Sequence, residues 1–193
     1  MKQQMRQQIR RGGAPPLGAS VAIQQRLMAQ DWWGLGFQVG LYRATTGEPA
    51  TDALLADLLA RHARVAVPRR RGGNYAWNWV DENTRWRTGA HGIPEPCDSR
   101  VARPADLRIV VVPGLAFDSQ GGRLGHGRGH FDRLLAASGA LRVGLCFECR
   151  LVEAVPMEAH DVRMDVVVTE ARLLFASTAA AKMEWLTVGN EGS

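Results

Sequence analysis

Apolar and polar positions change rhythm several times along this chain. In residues 2–10, Met5 and Ile9 share one face, while Lys2, Arg6 and Arg10, spaced i, i+4, i+8, share another. That spacing predicts a short helix with a cationic stripe, which Gly12-Gly13-Ala14-Pro15-Pro16 ends. Ser20 is placed to cap a second helix reaching about Ala29, with Val21, Ile23 and Leu27 available for burial. Phe37, Val39 and Leu41 then alternate with smaller or polar residues, predicting a strand from Gly36 to Tyr42. Thr51 or Asp52 caps a helix to about His62, with Leu54, Leu55, Leu58 and Leu59 as its apolar face, and Arg64 to Pro68 is a second short strand. A strand, a helix and a strand in succession point to a parallel sheet. Arg69 to Gly73 is expected to be a basic loop, and Tyr75 to Val80 an aromatic-rich strand. Trp86 to Arg103 is irregular, with Pro94, Pro96 and Pro104 as breakers. Leu107 to Val112 is an unbroken apolar run expected to form a buried strand. The period turns helical from Phe131 to about Ala137. Leu141 to Phe147 and Val166 to Thr169 are the remaining strands. Ala179 to Leu186 is a last helix, and Gly189 to Ser193 is expected to fray.

Length and composition narrow the class. With 193 residues, 46% apolar and 22% charged, the chain suits one soluble domain with a sizeable core. The expected division is residues 1–193 as a single domain, with 1–11 a basic N-terminal helix and 171–193 a tail of unassigned role. No apolar run approaches the roughly 20 residues of a membrane span, and the polar, basic N-terminus is no secretory signal, so a cytoplasmic location and no membrane partner are expected. The net charge is +5, and all but two of the 24 basic residues are arginine, the lysines being Lys2 and Lys182. That balance suits anionic partners without choosing among phosphates, polycarboxylates and nucleic acid. Cys97, Cys146 and Cys149 are too few for a disulfide framework, and the Cys146-x-x-Cys149 pair lacks the second pair a zinc site commonly uses.

The densest chemistry lies between Arg123 and Asp132, after the strand ending at Val112. Gly125, Gly127 and Gly129 alternate, with Arg123 and Arg128 beside them and a helix beginning after them. Three readings compete. One is a tight turn with solvated arginines. A second is a metal site from His126, His130 and Asp132, which the intervening glycines disfavour because they break the shared helical face. The third is a triphosphate cradle: backbone N–H groups of Gly125 to Gly129 on the phosphates, Arg123 and Arg128 neutralising them, and Asp132 toward a magnesium ion. The P-loop pattern, which needs Gly-Lys-Ser/Thr, is not met.

Several stretches resemble one family in order along the chain. Val112-Pro113-Gly114-Leu115-Ala116-Phe117-Asp118, followed by Arg123-Leu124-Gly125-x-Gly127-x-Gly129 with an aromatic residue and Asp132, resembles the signature of the 5-formyltetrahydrofolate cyclo-ligases, also called methenyltetrahydrofolate synthetases. Lys2-x-x-Met5-Arg6, Glu48-x-x-Thr51, Val67-Pro68, Gly92-Ile93-Pro94-Glu95-Pro96, Val155-Pro156-x-Glu158-x-His160-Asp161, Asp165 and Thr169-Glu170 resemble the family's other motifs. The resemblance spans Lys2 to Glu170. It implies an α/β fold, a three-layer α/β sandwich with a central, mostly parallel sheet. It also implies an ATP-dependent ring closure. The N5-formyl oxygen takes the γ-phosphoryl group of ATP, N10 attacks the activated carbon, and phosphate leaves, giving 5,10-methenyltetrahydrofolate, ADP and phosphate. No protein nucleophile is needed, so the protein positions two ligands and stabilises phosphate charge.

Carried over residue by residue, the resemblance implies ATP contacts at Lys2 and Arg6 and along the turn at Arg123, Leu124, Gly125, His126, Gly127, Arg128, Gly129, His130 and Phe131. It implies folate contacts at Glu48, His130 and Phe131, and magnesium contacts at Asp132 and Asp161. Tyr75, Trp77 and Trp79 are candidates for stacking on the pterin, Trp77 above all, and Arg69-Arg70-Arg71 for attracting the folate's glutamate tail. The chain departs from the family at His130-Phe131, where Tyr-Tyr is usual: Phe131 loses a hydroxyl, while His130 keeps a hydrogen-bond donor. The expected partners are 5-formyltetrahydrofolate and MgATP, with the chain acting as a monomer. Two other readings stand beside this one. The first is a non-catalytic relative binding nucleic acid through Arg69 to Gly73 and the nearby aromatics, although nucleic acid is not the expected partner. The second is an ATP-dependent enzyme of the same fold with a different substrate.

Overall fold

The computed structural model describes residues 1–34 and 38–188. In chain order the elements are α1 (Lys2–Arg11), α2 (Ala19–Met28), β1 (Gln38–Gly40), α3 (Asp52–Ala60), β2 (Arg64–Arg71), β3 (Asn74–Val80), β4 (Trp86–Thr88), β5 (Pro94–Pro96), β6 (Ile109–Val112), β7 (Ala116–Phe117), β8 (Arg123–Leu124), α4 (His130–Leu135), β9 (Leu141–Leu145), β10 (Val166–Val168), β11 (Leu173–Phe175) and α5 (Ala179–Val188). Seven strands form one sheet in the order β11-β10-β9-β6-β1-β2-β3. The five inner strands run parallel, while β3 and β11 close the two edges antiparallel. The small hairpins β4–β5 and β7–β8 lie outside this sheet.

Side chains alternate across a strand, and the inner strands are apolar on both faces because both are covered. Val39, Val65, Ile109, Val111, Val143, Val166 and Val168 face one layer, where they pack with Ile23 and Leu27 of α2, Leu54 and Leu58 of α3, and Leu186 of α5. Ala66, Val110, Val112 and Val167 face the other, where they pack with Trp77, Phe117, and Leu134 and Leu135 of α4. The result is the three-layer α/β sandwich with a mostly parallel sheet. Each fully buried Ile or Leu contributes about 1.5–3 kcal/mol. Gly144 in β9 has a packing reason: a Cβ there would lie 2.5 Å from the ring of Phe117.

The chain order sets where a ligand belongs. From β1 it winds outward through α3 to β2 and β3, then returns to β6 on the other side of β1 and winds the opposite way to β9 and β10. The carboxyl ends of β1 and β6 therefore diverge, the usual binding crevice of such sheets.

Several expectations are corrected. The second helix is capped by Gly18 at φ +79°, not by Ser20; the Ser20 hydroxyl instead accepts from Ala50 N–H at 3.1 Å. Arg69 to Arg71 continue β2 instead of forming a loop, because the antiparallel partner β3 extends the ladder to Arg71↔Asn74. The irregular stretch from Trp86 contains β4 and β5, paired from Trp86↔Pro96 to Thr88↔Pro94. Beyond Glu170 the expected helix is present as α5, but β11 is not among the expected strands, and through it the sheet gains a strand beyond Val168. The expected strand residues Gly36 and Phe37, and the end from Gly189 to Ser193, lie outside the described residues.

Candidate active site

A cleft of about 770 Å³ opens where β1 and β6 part. One wall is the loop after β1. Tyr42 is buried and anchors it: its hydroxyl donates to the Pro49 carbonyl at 2.6 Å, and Thr51 Oγ1 donates to the Tyr42 carbonyl at 2.7 Å. Glu48 projects from this loop, four residues ahead of α3, so the helix dipole does not account for it. Its carboxylate accepts from Thr45 N–H at 2.8 Å and Thr45 Oγ1 at 2.9 Å, and lies 3.2 Å from His126 Nε2. That last contact joins the β1 loop to the Gly-rich turn.

The opposite wall is built after β6. Asp118 is buried, and its role is internal. It accepts from Gln120 and Gly122 N–H at 2.9 and 2.7 Å and from Val155 N–H at 2.8 Å, fixing the β7–β8 turn. The chain then enters the Gly-rich turn. Gly127 (φ +95°) and Gly129 (φ +62°) adopt left-handed backbone that side chains resist. Gly125 turns its carbonyl to Arg6 Nε at 2.9 Å. Arg123 is buried within this wall, donating to the Pro113 carbonyl at 3.3 Å and to Asp132 at 2.7 Å. Its charge is met by Asp132, so it braces α4 against the end of β6.

Helix α1 closes the third side. Met5 and Ile9 rest on Leu115, Ala116, Leu124 and Val155, which turns the stripe of Lys2, Arg6 and Arg10 into the cleft. Lys2 pairs with Asp161 and, at 3.2 Å, with Glu158. Burial is the largest single influence and works against both charges of the Lys2–Asp161 pair, but their mutual bond together with the contacts to Glu158 and the neighbouring charges outweighs it. The ammonium is held above and the Asp161 carboxyl below its ordinary range.

At the start of α4, His130 lies edge-on to Tyr75, with ring centroids 4.9 Å apart, and its Nδ1 is 2.9 Å from Arg133 Nη2. Burial, then Arg133, Arg128 and Arg70, push its pKa below the usual histidine value, which keeps the ring neutral at neutral pH. A guanidinium only donates, so Nδ1 is the acceptor and the ring's proton sits on Nε2. His130 thus presents a hydrogen-bond donor at the start of α4.

Most of the expected site residues share this one cleft: Lys2, Arg6, Glu48, Arg123, Gly125, His126, Gly127, Arg128, Gly129, His130, Phe131, Asp132 and Asp161 all line it. Two do not. Leu124 is fully buried in the layer under α1, leaving only its backbone near the turn. Trp77, expected to stack on a ligand, is a core residue: it is 1% exposed, its Nε1 donates to the Leu134 carbonyl at 3.3 Å, and it supports Phe131 edge-on. Tyr75 lines the cleft in its place. Trp79 faces a separate hollow, beneath Arg64. The aromatic ladder imagined for nucleic acid is thereby divided among cleft, core and a distant surface. Among the described residues no three potential ligands cluster to hold a metal on their own, and the three cysteines are unpaired. Sequence reasoning missed Arg43, Thr45 and Glu158 as cleft residues. Arg43 and Thr45 follow the end of β1, a position that marks them once strand order is known.

Residues 1–170 match the model of the 5-formyltetrahydrofolate cyclo-ligase family. A 5-formyltetrahydrofolate cyclo-ligase of Mycolicibacterium smegmatis is 33% identical over 152 residues, covering 73% of this chain and 77% of that one. One from Escherichia coli is 30% identical over 143 residues, covering 70% and 79%. The solved structure of Aquifex aeolicus 5,10-methenyltetrahydrofolate synthetase superposes with a TM-score of 0.81 at 28% identity, covering 91% of this chain and 93% of that one.

Proposed function

The chain belongs to the 5-formyltetrahydrofolate cyclo-ligase family and is a ligase of that activity, and from this we propose how its cleft divides the work. The observation that carries the proposal is the joining of a cationic stripe, a left-handed glycine turn and a buried glutamate in one cleft. The half formed by Lys2, Arg6, Arg10, Arg128 and the turn from Gly125 to Gly129 takes the triphosphate of ATP. Cations and backbone N–H groups there meet phosphate oxygens. The half formed by the β1 loop takes the folate, with Glu48 accepting hydrogen bonds from N–H groups of the pterin ring. His126, 3.2 Å from Glu48, stands at the seam between the halves.

The formyl oxygen displaces ADP from the γ-phosphorus, N10 attacks the formyl carbon and gives up its proton, and the oxygen departs with phosphate. For this the residues hold two reactants in line and exclude water, the usual demands of phosphoryl transfer. His130 offers its Nε2 proton beside Phe131, the face on which the formyl group would lie.

Asp132 and Asp161 suit magnesium arriving with the nucleotide. Each lines the cleft, and a cation bound by one or two carboxylates is completed by phosphate oxygens. Such an ion would neutralise charge between the β- and γ-phosphates. Arg123 holds the Asp132 carboxylate in place and Lys2 that of Asp161. A monomer is consistent with one chain supplying every wall described here, and unpaired cysteines fit a reducing, cytoplasmic setting.

Incubation with 5-formyltetrahydrofolate, ATP and magnesium is expected to raise near-ultraviolet absorbance as the methenyl product forms, with ADP and phosphate released in equal amounts. No rise, with both ligands shown to bind, overturns the assignment.

A further inference from the structure

Arg43 stands three residues beyond β1's last ladder position, Gly40, after Leu41 and Tyr42, and lines the cleft. Its side chain is 15% exposed. One guanidinium nitrogen, Nη2, donates to Asp52 at 2.8 Å, and the group lies 5.2 Å from the ring centroid of Trp86. The other two nitrogens, Nε and Nη1, are shut off from solvent and meet no acceptor among the described residues. A guanidinium cannot shed its proton, so buried N–H groups without a partner bear the full cost of desolvation. Arg123 also lines the cleft with a buried, unpartnered Nε, but its two terminal nitrogens are taken by Pro113 and Asp132. Arg43 is left with two nitrogens that no acceptor among the described residues meets.

Its place in the cleft says what they await. The phosphate-facing cations come from α1 and the Gly-rich turn, whereas Arg43 shares the β1 loop with Glu48. Glu48 only accepts, and its oxygens already draw on Thr45 and His126. A ligand seated there that satisfies Glu48 with N–H groups also brings oxygens, and the same wall offers those oxygens a donor in Arg43 alone among the charged residues of this loop.

We propose that Arg43 is a substrate-binding residue whose guanidinium, on a turn of its side chain that opens Nε and Nη1 to the cleft it lines, donates to an oxygen of the folate. This rests on the cyclo-ligase reading. Two oxygens share the required chemistry: the ring carbonyl of the pterin, adjacent to the N–H edge that Glu48 accepts, and the carboxylate of the glutamate tail.

The test is calorimetric titration of wild type, Arg43→Leu and Arg43→Lys with 5-formyltetrahydrofolate, with 5-formyltetrahydropteroate (which lacks the glutamate), and with ATP. Arg43→Leu is expected to weaken folate binding about tenfold or more while ATP binding stays within about twofold, which also shows that the variant is folded. Arg43→Lys should recover part of the loss. An equal loss with both pterin ligands assigns the ring carbonyl; a loss confined to the glutamate-bearing ligand assigns the carboxylate. Unchanged folate affinity with normal ATP binding overturns the Arg43 assignment and leaves the cyclo-ligase reading intact, and so does an equal loss for ATP. Wild type that binds ATP but no folate overturns both.

Discussion

Gly127 shows how much one residue carries in this cleft. At φ +95° its backbone is one that L side chains rarely adopt, and an added Cβ would lie 3.2 Å from the guanidinium carbon of Arg6. Gly127→Ala therefore strains the turn by about 1–2 kcal/mol and pushes a phosphate-facing cation aside. The expected outcome is a rise of about fivefold or more in KM for ATP with KM for the folate little changed; equal changes in both would contradict the division of the cleft. At this scale the sequence marks residue types better than partners. The alternation of Gly125, Gly127 and Gly129 was readable as a phosphate turn. Arg123 looked like one more phosphate cation, and only its burial against Asp132 and the Pro113 carbonyl makes it a brace. Trp77 looked like a stacking surface, and it is core because β3 pairs with β2 in a register that turns it toward α4.

Helix α1 is the element on which the proposed ATP half would depend, yet it buries no residue completely. Its hold on the fold is the half-buried pair Met5 and Ile9, plus Lys2 on Asp161 and Arg6 on the Gly125 carbonyl. Removing residues 1–11 is expected to leave a folded sheet, destabilised by about 2–4 kcal/mol from two partly buried side chains. ATP affinity should fall at least about tenfold with the loss of two charged contacts. Circular dichroism melts and ATP titration check this; a truncated chain that keeps full ATP affinity would remove Lys2 and Arg6 from the site. The stripe of α1 was legible because i, i+4, i+8 spacing fixes a helical face regardless of the rest of the fold. The hairpin β4–β5 was not, since Pro94 and Pro96 read as breakers and only pairing with Trp86 to Thr88 makes them strand. Arg69 to Arg71 likewise became strand through the partner β3.

For the whole molecule, ligand binding and folding are linked. On the proposed division of the cleft, MgATP and folate would contact α1, the β1 loop, the Gly-rich turn and the segment around Asp161, all of which line it. At about a hundred times its Kd, a ligand that binds only the folded chain stabilises it by about 2.7 kcal/mol, a rise in Tm of roughly 5–10 °C for a domain of this size. MgATP is expected to produce that rise, and ATP with a chelator a smaller one. Equal shifts would remove magnesium from Asp132 and Asp161.

The sequence by itself determined what depends on neighbours in the chain: a parallel sheet, from strand and helix periods in alternation, the cationic face of α1, the glycine turn, and the family, whose resemblance implied the three-layer sandwich. Only the tertiary structure decided what depends on strand order. The chain leaves β1 in one direction and returns at β6 to proceed in the other, so Glu48, Lys2, His126 and Asp161, far apart in sequence, meet at one crevice. The same folding buries Trp77, commits Arg123 to Asp132, and leaves Arg43 with donors that nothing among the described residues accepts. Burial and unmet hydrogen bonds arise from long-range packing, which no local pattern of residues records.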